Sequence, residues 1–234
     1  MLLITPDTPE TEFPSPDAAT DEGLVAVGGE LTTSRLLSAY RNGIFPWYSN
    51  DQPVLWWSPE PRAVLFPEGI RISRSLRKSL RHKDFQVTAD TDFAAVINAC
   101  AEPRGLPPYS GTWITEEMKT AYIELHNLGY GHSIEVWRDG KLVGGMYGLQ
   151  LGRAFFGESM FSRVSDASKV AMVSLSEYAV RHGIDFIDCQ LPTDHLARMG
   201  AVNMSRNAYL ELLGKALQHG DSTATWSLDT ETEG

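Results

Sequence analysis

The 234-residue sequence predicts an α+β protein: a mixed sheet with flanking helices, preceded by a small N-terminal α/β domain. Three observations carry this. Between 133 and 149 two alternating runs flank Asp139-Gly140, the strongest short hairpin signal. A helical pattern capped by Ser165 or Asp166 and stopped by Gly183 leads directly into the apolar run Ile184–Gln190, a buried strand. Residues 1–30 are rich in Pro, Thr, Asp and Glu, and a dense aromatic cluster follows. The expected organisation is an N-terminal domain over 1–62, a second domain over 63–219, and an acidic, disordered tail over 220–234.

In chain order, a short strand is expected near Leu24–Val27, then a helix capped by Thr33 and ended by Gly43. Gly43-Ile-Phe-Pro-Trp47 and Leu55-Trp-Trp-Ser-Pro59 concentrate three tryptophans, rings that pack a core or floor a pocket. Ser73 caps a basic helix with Leu76 and Leu80 inward, and a further helix covers Asp92–Ala101 with Phe93, Val96, Ile97 and Cys100 inward. Residues 102–111 carry three prolines and two glycines and read as a mobile loop. Thr115 opens the next helix, whose stripe is Met118, Ala121, Tyr122, Leu125 and Leu128 before Gly129. Strands follow at Ser133–Trp137, Leu142–Leu149 and Ala154–Phe161, and a last helix at Asn203–His219.

The net charge of −10 is unevenly spread. Residues 1–34 hold seven acids and no Lys or Arg, and residues 220–234 hold four more with none. Removing those eleven from the 30 acids leaves 19 against 20 bases, a net of +1 for residues 35–219. Within that body Arg74, Arg77, Lys78 and Arg81 share one helical face without an acid among them. Such a stripe is either a solvated face or a surface that tracks phosphates.

Several chemistries lack their signatures. There is no Gly-rich P-loop, no complete dinucleotide fingerprint and no His-Glu-x-x-His, and the six histidines have no ligand spacing, so no metal site is expected. No apolar run reaches membrane-spanning length, and two cysteines are too few for a disulfide framework. Cys189 with His195 has the elements of a nucleophile and base, but a lone strand cysteine is usually an inert core residue.

The strand Ile184–Gln190 is the most suggestive stretch. Alternation places Ile184 and Phe186 on one face and continues that face with Asp188 and Gln190. An acid and an amide ending an apolar face are a site, or a turn cap and a solvated group; spacing leaves both open.

The element order from residue 115 resembles the GNAT acyltransferase fold. That family's pyrophosphate loop needs glycine for close backbone approach. Here it is Ser162-Arg-Val-Ser-Asp166, without glycine, which speaks against an acetyl-CoA-dependent N-acetyltransferase. Eight ordered blocks are more specific: Gly43–Trp47, Trp56–Pro59, Gly111-Thr-Trp-Ile-Thr115, His132–Trp137, Gly144-Gly-Met-Tyr-Gly148, Gly157-Glu-Ser-Met-Phe-Ser162, Ala167-Ser-Lys169 and Ile187-Asp-Cys-Gln190. Together they resemble the leucyl/phenylalanyl-tRNA–protein transferases over roughly residues 13–213.

The resemblance implies a small N-terminal domain joined to a GNAT-like domain, and transfer of Leu, Phe or Met from aminoacyl-tRNA to an N-terminal Arg or Lys. The donor ester is already activated, so the implied reaction needs no ATP, metal or CoA. It implies Asp188 and Gln190 as a catalytic relay, and an aminoacyl pocket of Met146, Phe155, Gly157 and Met160 with Glu158 at its rim. Trp47 and Trp113 fall at the family's terminal-adenosine position, where a base can stack. Two positions depart from the pattern: Phe156 stands where cysteine is expected, and Thr193 where asparagine is. No membrane partner is implied, and a monomer is expected. A non-catalytic RNA-binding module built on the basic helix is the other rival.

Overall fold

The computed structural model describes residues 2–82, 84–103 and 112–228. Most of the loop expected to be mobile, and the tail from residue 229, lie outside the described residues. The elements are β1 (Leu2–Ile4), β2 (Leu24–Gly28), α1 (Thr33–Arg41), β3 (Phe45–Pro46), β4 (Leu55–Trp57), β5 (Arg62–Leu65), α2 (Arg74–His82), β6 (Gln86–Ala89), α3 (Phe93–Cys100) and α4 (Glu116–Asn127). They continue as β7 (Gly131–Arg138), β8 (Lys141–Leu151), β9 (Ala154–Ser162), α5 (Ala167–His182), β10 (Phe186–Gln190), α6 (Asp194–Met199), β11 (Val202–Met204) and α7 (Arg206–Ala216).

Two sheets form, both mixed, with helices packed on them, as an α+β chain requires. The first is four-stranded in the order β1-β2-β4-β3. The second is seven-stranded, β11-β5-β10-β9-β8-β7-β6, and Arg62 already belongs to it. Its one parallel pair is β9 with β10, joined by α5 as the crossover; every other neighbour is antiparallel. One continuous buried cluster joins Val25 and Trp56 of the first sheet to Tyr122, Phe156 and Tyr209 around the second. The second cluster, with Leu65, Met146, Ile187 and the inner face of α5, lies on the other side.

Local signals act where expected. The β7–β8 hairpin turns through Asp139 (φ 53°) and Gly140 (φ 68°), the left-handed pair that an Asp-Gly turn supplies. Thr115 caps α4 by accepting the Met118 N–H at 3.1 Å, and Gly183 (φ 69°) ends α5. The cap of α1 is Thr32, one residue before the one expected. Leu76 is buried, but Leu80 and Leu128 are 38% and 48% exposed, because each sits at the end of its helix beyond the packed stripe. The expected disordered tail is corrected for residues 221–228: Trp226 is 3% exposed, and one large ring anchors an otherwise polar segment.

Three register slips interrupt the large sheet, one of them between Val136 and Trp137 in the β7–β8 pair, and the other two shape the site. The β8–β9 register slips between Tyr147 and Gly148, leaving Glu158 as the extra residue of β9. The β5–β10 register slips between Asp188 and Gln190, leaving Cys189 as the extra residue of β10. Gly148 is where backbone and ring close in. A Cβ there would lie 2.1 Å from the Phe156 carbonyl oxygen and 2.6 Å from the Phe155 ring. Gly148→Ala is therefore expected to lower stability by about 1–3 kcal/mol through overpacking. Urea unfolding at neutral pH measures this, and an unchanged midpoint would show that the bulge has room.

Candidate active site

The parallel ladder between β9 and β10 ends at Asp188 opposite Phe156, although β9 runs on to Ser162. Beyond that point the strands separate, and the two bulged residues face the gap. The expected sharing of one strand face by Asp188 and Gln190 does not occur. The Cys189 bulge and the left-handed backbone of Gln190 (φ 62°) break the alternation and turn the glutamine toward β9.

Asp188 is 0% exposed and points the other way, into the core. Its carboxylate accepts two bonds from Arg62, Nε to Oδ1 at 2.9 Å and Nη2 to Oδ2 at 2.7 Å. The Tyr209 hydroxyl donates to Oδ2 at 2.7 Å, and the Gln190 backbone N–H donates to Oδ1 at 2.9 Å. Arg62 also donates to the Gly43 carbonyl at 3.2 Å and lies over the Phe45 and Tyr209 rings. Burial alone would pull the guanidinium's pKa down; the adjacent carboxylate outweighs it and holds the group charged. Asp188 thus fixes the backbone of Gln190 and makes no contact with its amide.

The acid that does meet that amide is Glu158. Its Oε1 accepts Gln190 Nε2 at 2.9 Å and the Tyr40 hydroxyl at 2.7 Å; its Oε2 accepts the Tyr122 hydroxyl at 3.0 Å. A carboxylate only accepts, so the amide nitrogen faces Glu158 and the Gln190 oxygen is left outward. Burial pushes the Glu158 carboxyl up to about 7, with the charge of Asp188 adding to the rise, against the hydrogen bonds from Tyr40, Tyr122 and Gln190. The Tyr40 and Tyr122 hydroxyls also touch each other. Both tyrosines stay protonated, burial raising each well above the ordinary phenol value.

Beside this pair lies a cavity of about 160 Å³. Met146, Gly157, Glu158, Met160 and Gln190 line it. Ile187 and Cys189, from the Ile187–Gln190 block, line it too, as do Met172 and Leu196, which no local sequence signal marked. Phe155 does not: it is buried behind the lining, its ring over Gly148. A Cβ on Gly157 would meet only ordinary contacts, the nearest 3.5 Å from the Asp188 carbonyl oxygen, so glycine there keeps space rather than relieving a clash. An apolar cavity of roughly 150 Å³ holds a benzene ring, so the space suits a side chain of leucine, methionine or phenylalanine size. Cys189 is no nucleophile: burial and the charge of Asp188 push its thiol up to about 12.

The family model described as leucyl/phenylalanyl-tRNA protein transferase matches residues 64–214, and that of its N-terminal domain matches residues 29–60. The leucyl/phenylalanyl-tRNA–protein transferase of Aromatoleum aromaticum is 54% identical over 232 residues, covering 99% of this chain and 96% of that one. That of an Azoarcus species is 54% identical over 228 residues, 97% of this chain and 96% of the other. The chain belongs to this family. It is an aminoacyl-tRNA–protein transferase. A functionally unknown conserved protein from Staphylococcus epidermidis is a distant structural match, 13% identical over 62% of this chain and 57% of that one, with a TM-score of 0.41 that is too low to establish a shared fold.

In this transferase Trp47 is 42% exposed, and its carbonyl accepts the Trp57 indole N–H at 2.7 Å. Its neighbour Tyr48 donates to Glu117 at 3.2 Å in the first turn of α4, and Trp113, half-buried, precedes that same helix. Trp113 sits at the start of α4, and Trp47 packs against Trp57 one residue before the Tyr48 that reaches that helix. Arg74, Arg77, Lys78 and Arg81 are exposed along one side of α2. Ser79, on the buried side, docks α2 on Asp166 at 2.7 Å. The two departures from the family pattern have local accounts. Phe156 is buried edge-on against Tyr40, and Thr193 caps α6 by accepting the Leu196 N–H at 3.2 Å, a task asparagine also performs.

Arg62 carried no sequence signal beyond its type, yet it holds the site's only buried guanidinium–carboxylate pair among the described residues. Arg62→Met leaves Asp188 charged, buried and unpaired, an arrangement that costs about 3–5 kcal/mol. The double variant Arg62→Met/Asp188→Leu is expected to recover most of that loss. Thermal or urea unfolding of the three proteins checks it; a single variant within error of wild type would show that the pair contributes nothing.

Proposed function

We propose that this transferase moves Leu, Phe or Met from aminoacyl-tRNA to the α-amino group of proteins beginning with Arg or Lys, a mark for N-end-rule degradation, and that its larger sheet is GNAT-like. The observation that carries the chemistry is the Glu158–Gln190 pair beside an apolar cavity of about 160 Å³. The parallel β9–β10 pair that opens at the site supports the fold reading. Acetyl-CoA is disfavoured as donor. Ser162, where its pyrophosphate would approach, already donates to the Val164 carbonyl at 2.8 Å and accepts the Ser168 N–H at 3.2 Å.

The donor side chain enters the cavity among Met146, Met160 and the backing of Phe155, where flexible thioethers adapt to branched, linear and aromatic shapes. Trp47 and Trp113 stack the terminal adenosine, and Arg74, Arg77, Lys78 and Arg81 hold tRNA phosphates. The Gln190 oxygen accepts an N–H of the incoming amine and aims its lone pair at the ester carbonyl. The amine's C–N bond forms, the bond to the ribose oxygen breaks, and the ribose leaves as a hydroxyl. Glu158, poised at about 7, takes the proton that the amine gives up and passes it to the departing ribose oxygen, so the carboxylate is restored. Asp188 and Arg62 act one step back, holding Gln190 in its left-handed turn.

Labelled Leu-tRNA incubated with a peptide beginning with Arg is expected to give labelled peptide, and the absence of label on such peptides would overturn the reading. Glu158→Gln keeps the hydrogen-bonding shape but removes the acceptor. It should slow single-turnover transfer by about 10²–10⁴-fold. Wild-type transfer needs Glu158 deprotonated, so its rate rises as pH increases through about 7. In the variant only the rise due to the acceptor amine's own titration remains, at higher pH, while donor tRNA binds as before. Wild-type rates and an unshifted pH profile in Glu158→Gln would remove it from the chemistry.

Reversing Arg77 and Arg81 to Glu addresses the basic stripe. Donor affinity is expected to drop for tRNAs of every sequence, and the slope of log affinity against log salt to flatten by about one unit for each phosphate no longer neutralised. Equal affinity and slope in wild type and variant would make the stripe a solvated face.

A further inference from the structure

The segment after α7 lies beyond residues 64–214 matched by the family model, and its chemistry is unusual for an acidic end of a chain. Asp221 pairs with Arg41 of α1 and accepts the Gly152 N–H at 2.9 Å, fixing one end. Five residues on, Trp226 inserts between α5 and the large sheet. Its ring stacks on His132 at 4.2 Å and 7° and on Tyr178 at 4.2 Å and 26°. Its backbone N–H donates to Asp90 at 2.7 Å and its indole N–H to Gln150 at 3.2 Å. Asp90 also bonds His132 Nδ1 at 2.8 Å and the Ser133 N–H at 2.9 Å, so the seat of the tryptophan is itself held.

The fourth side of that ring is Phe155, 5.4 Å away at 38°. Phe155 lies over Gly148 and is opposite Ile187 in the β9–β10 register. Ile187 lines the cavity, and Met146, which also lines it, is two residues from Gly148 on the same face of β8. Phe155 therefore stands between the tryptophan and the cavity wall. Packing against Gly148 blocks it on one side; on the other, Trp226 keeps it from receding.

We propose that Trp226, carried by the C-terminal segment, is a positioning residue that sets the depth of the donor side-chain cavity through Phe155. This rests on the donor-pocket reading above. Without the indole, Phe155 withdraws from Gly148, Met146 and Ile187 follow, and the cavity accepts larger side chains. Donor choice is then set partly by a residue that never touches the donor, and the segment after α7 becomes part of substrate selection.

The test measures donor KM and kcat with tRNA charged with Leu and, separately, with Trp, at saturating Arg-peptide, for wild type, Trp226→Ala and Trp226→Phe. Trp226→Ala is expected to shift the Leu-to-Trp ratio of kcat/KM by about tenfold toward Trp, the scale of a small volume change in an apolar pocket, through KM. Peptide KM is expected to stay as in wild type. Trp226→Phe keeps a ring against Phe155 and is expected to retain the wild-type ratio. If the alanine variant does not fold, Trp226→Leu, which preserves most of the buried volume, is read for the same shift. An unchanged ratio, an equal loss for both donors, or a fall in kcat alone would each overturn the proposal. A wild-type enzyme indifferent to the donor side chain would instead overturn the pocket reading beneath it.

Discussion

The Arg62–Asp188 ion pair is the constraint on which the site depends. Two charges taken fully out of water cost several kcal/mol each, and only a complete set of partners offsets that. The partners come from everywhere: Gly43 after α1, Tyr209 on α7, and the Gln190 backbone. Forming the pair therefore aligns β5 and β10 of the large sheet with the N-terminal unit and the last helix. It also holds the one non-glycine left-handed residue of β10, and so decides where the Gln190 side chain goes.

A second consequence is the division of labour between two acids. Asp188 is neutralised by Arg62 and spent on geometry. Glu158 has no cation, only hydroxyl and amide donors, and burial leaves it titrating at about 7. An acid committed to an ion pair and a second one raised by burial divide the roles within one site. The β-bulges make this possible, since without the slip at Glu158 and the slip at Cys189 the two strands would continue their regular alternation. An already activated ester and an amine titrating near neutral pH ask for little more than alignment and a place for a proton. A buried acid, an outward amide oxygen and an apolar recess supply those.

Much of the frame was legible in the sequence because the signals are local. The Asp139-Gly140 hairpin, the Thr115 cap, the Gly183 stop and the inward stripe of α3 each depend on residues within a turn or two. The ordered motif blocks pointed to the family, and the distribution of charge revealed the stripe on α2 that a net of −10 conceals. Met146, Gly157, Glu158 and Met160 come together around one cavity because they lie on adjacent strands joined by a short turn.

What only the tertiary structure decided involves long-range partners. Strand alternation placed Asp188 and Gln190 side by side, but a bulge is a property of the pairing, and its partner β5 is more than a hundred residues away in sequence. Glu158 read as a rim residue because the hydroxyls that bury and tune it come from Tyr40 and Tyr122 in other elements. Trp226 read as part of a disordered tail because composition averages over a segment, whereas burial of a single ring depends on the slot that α5, His132 and Phe155 leave open. Local periodicity and caps settle which segments are helix or strand. Which acid is neutralised, which one titrates, and what stands behind the cavity follow from desolvation and pairing, and these exist only once the chain has closed on itself.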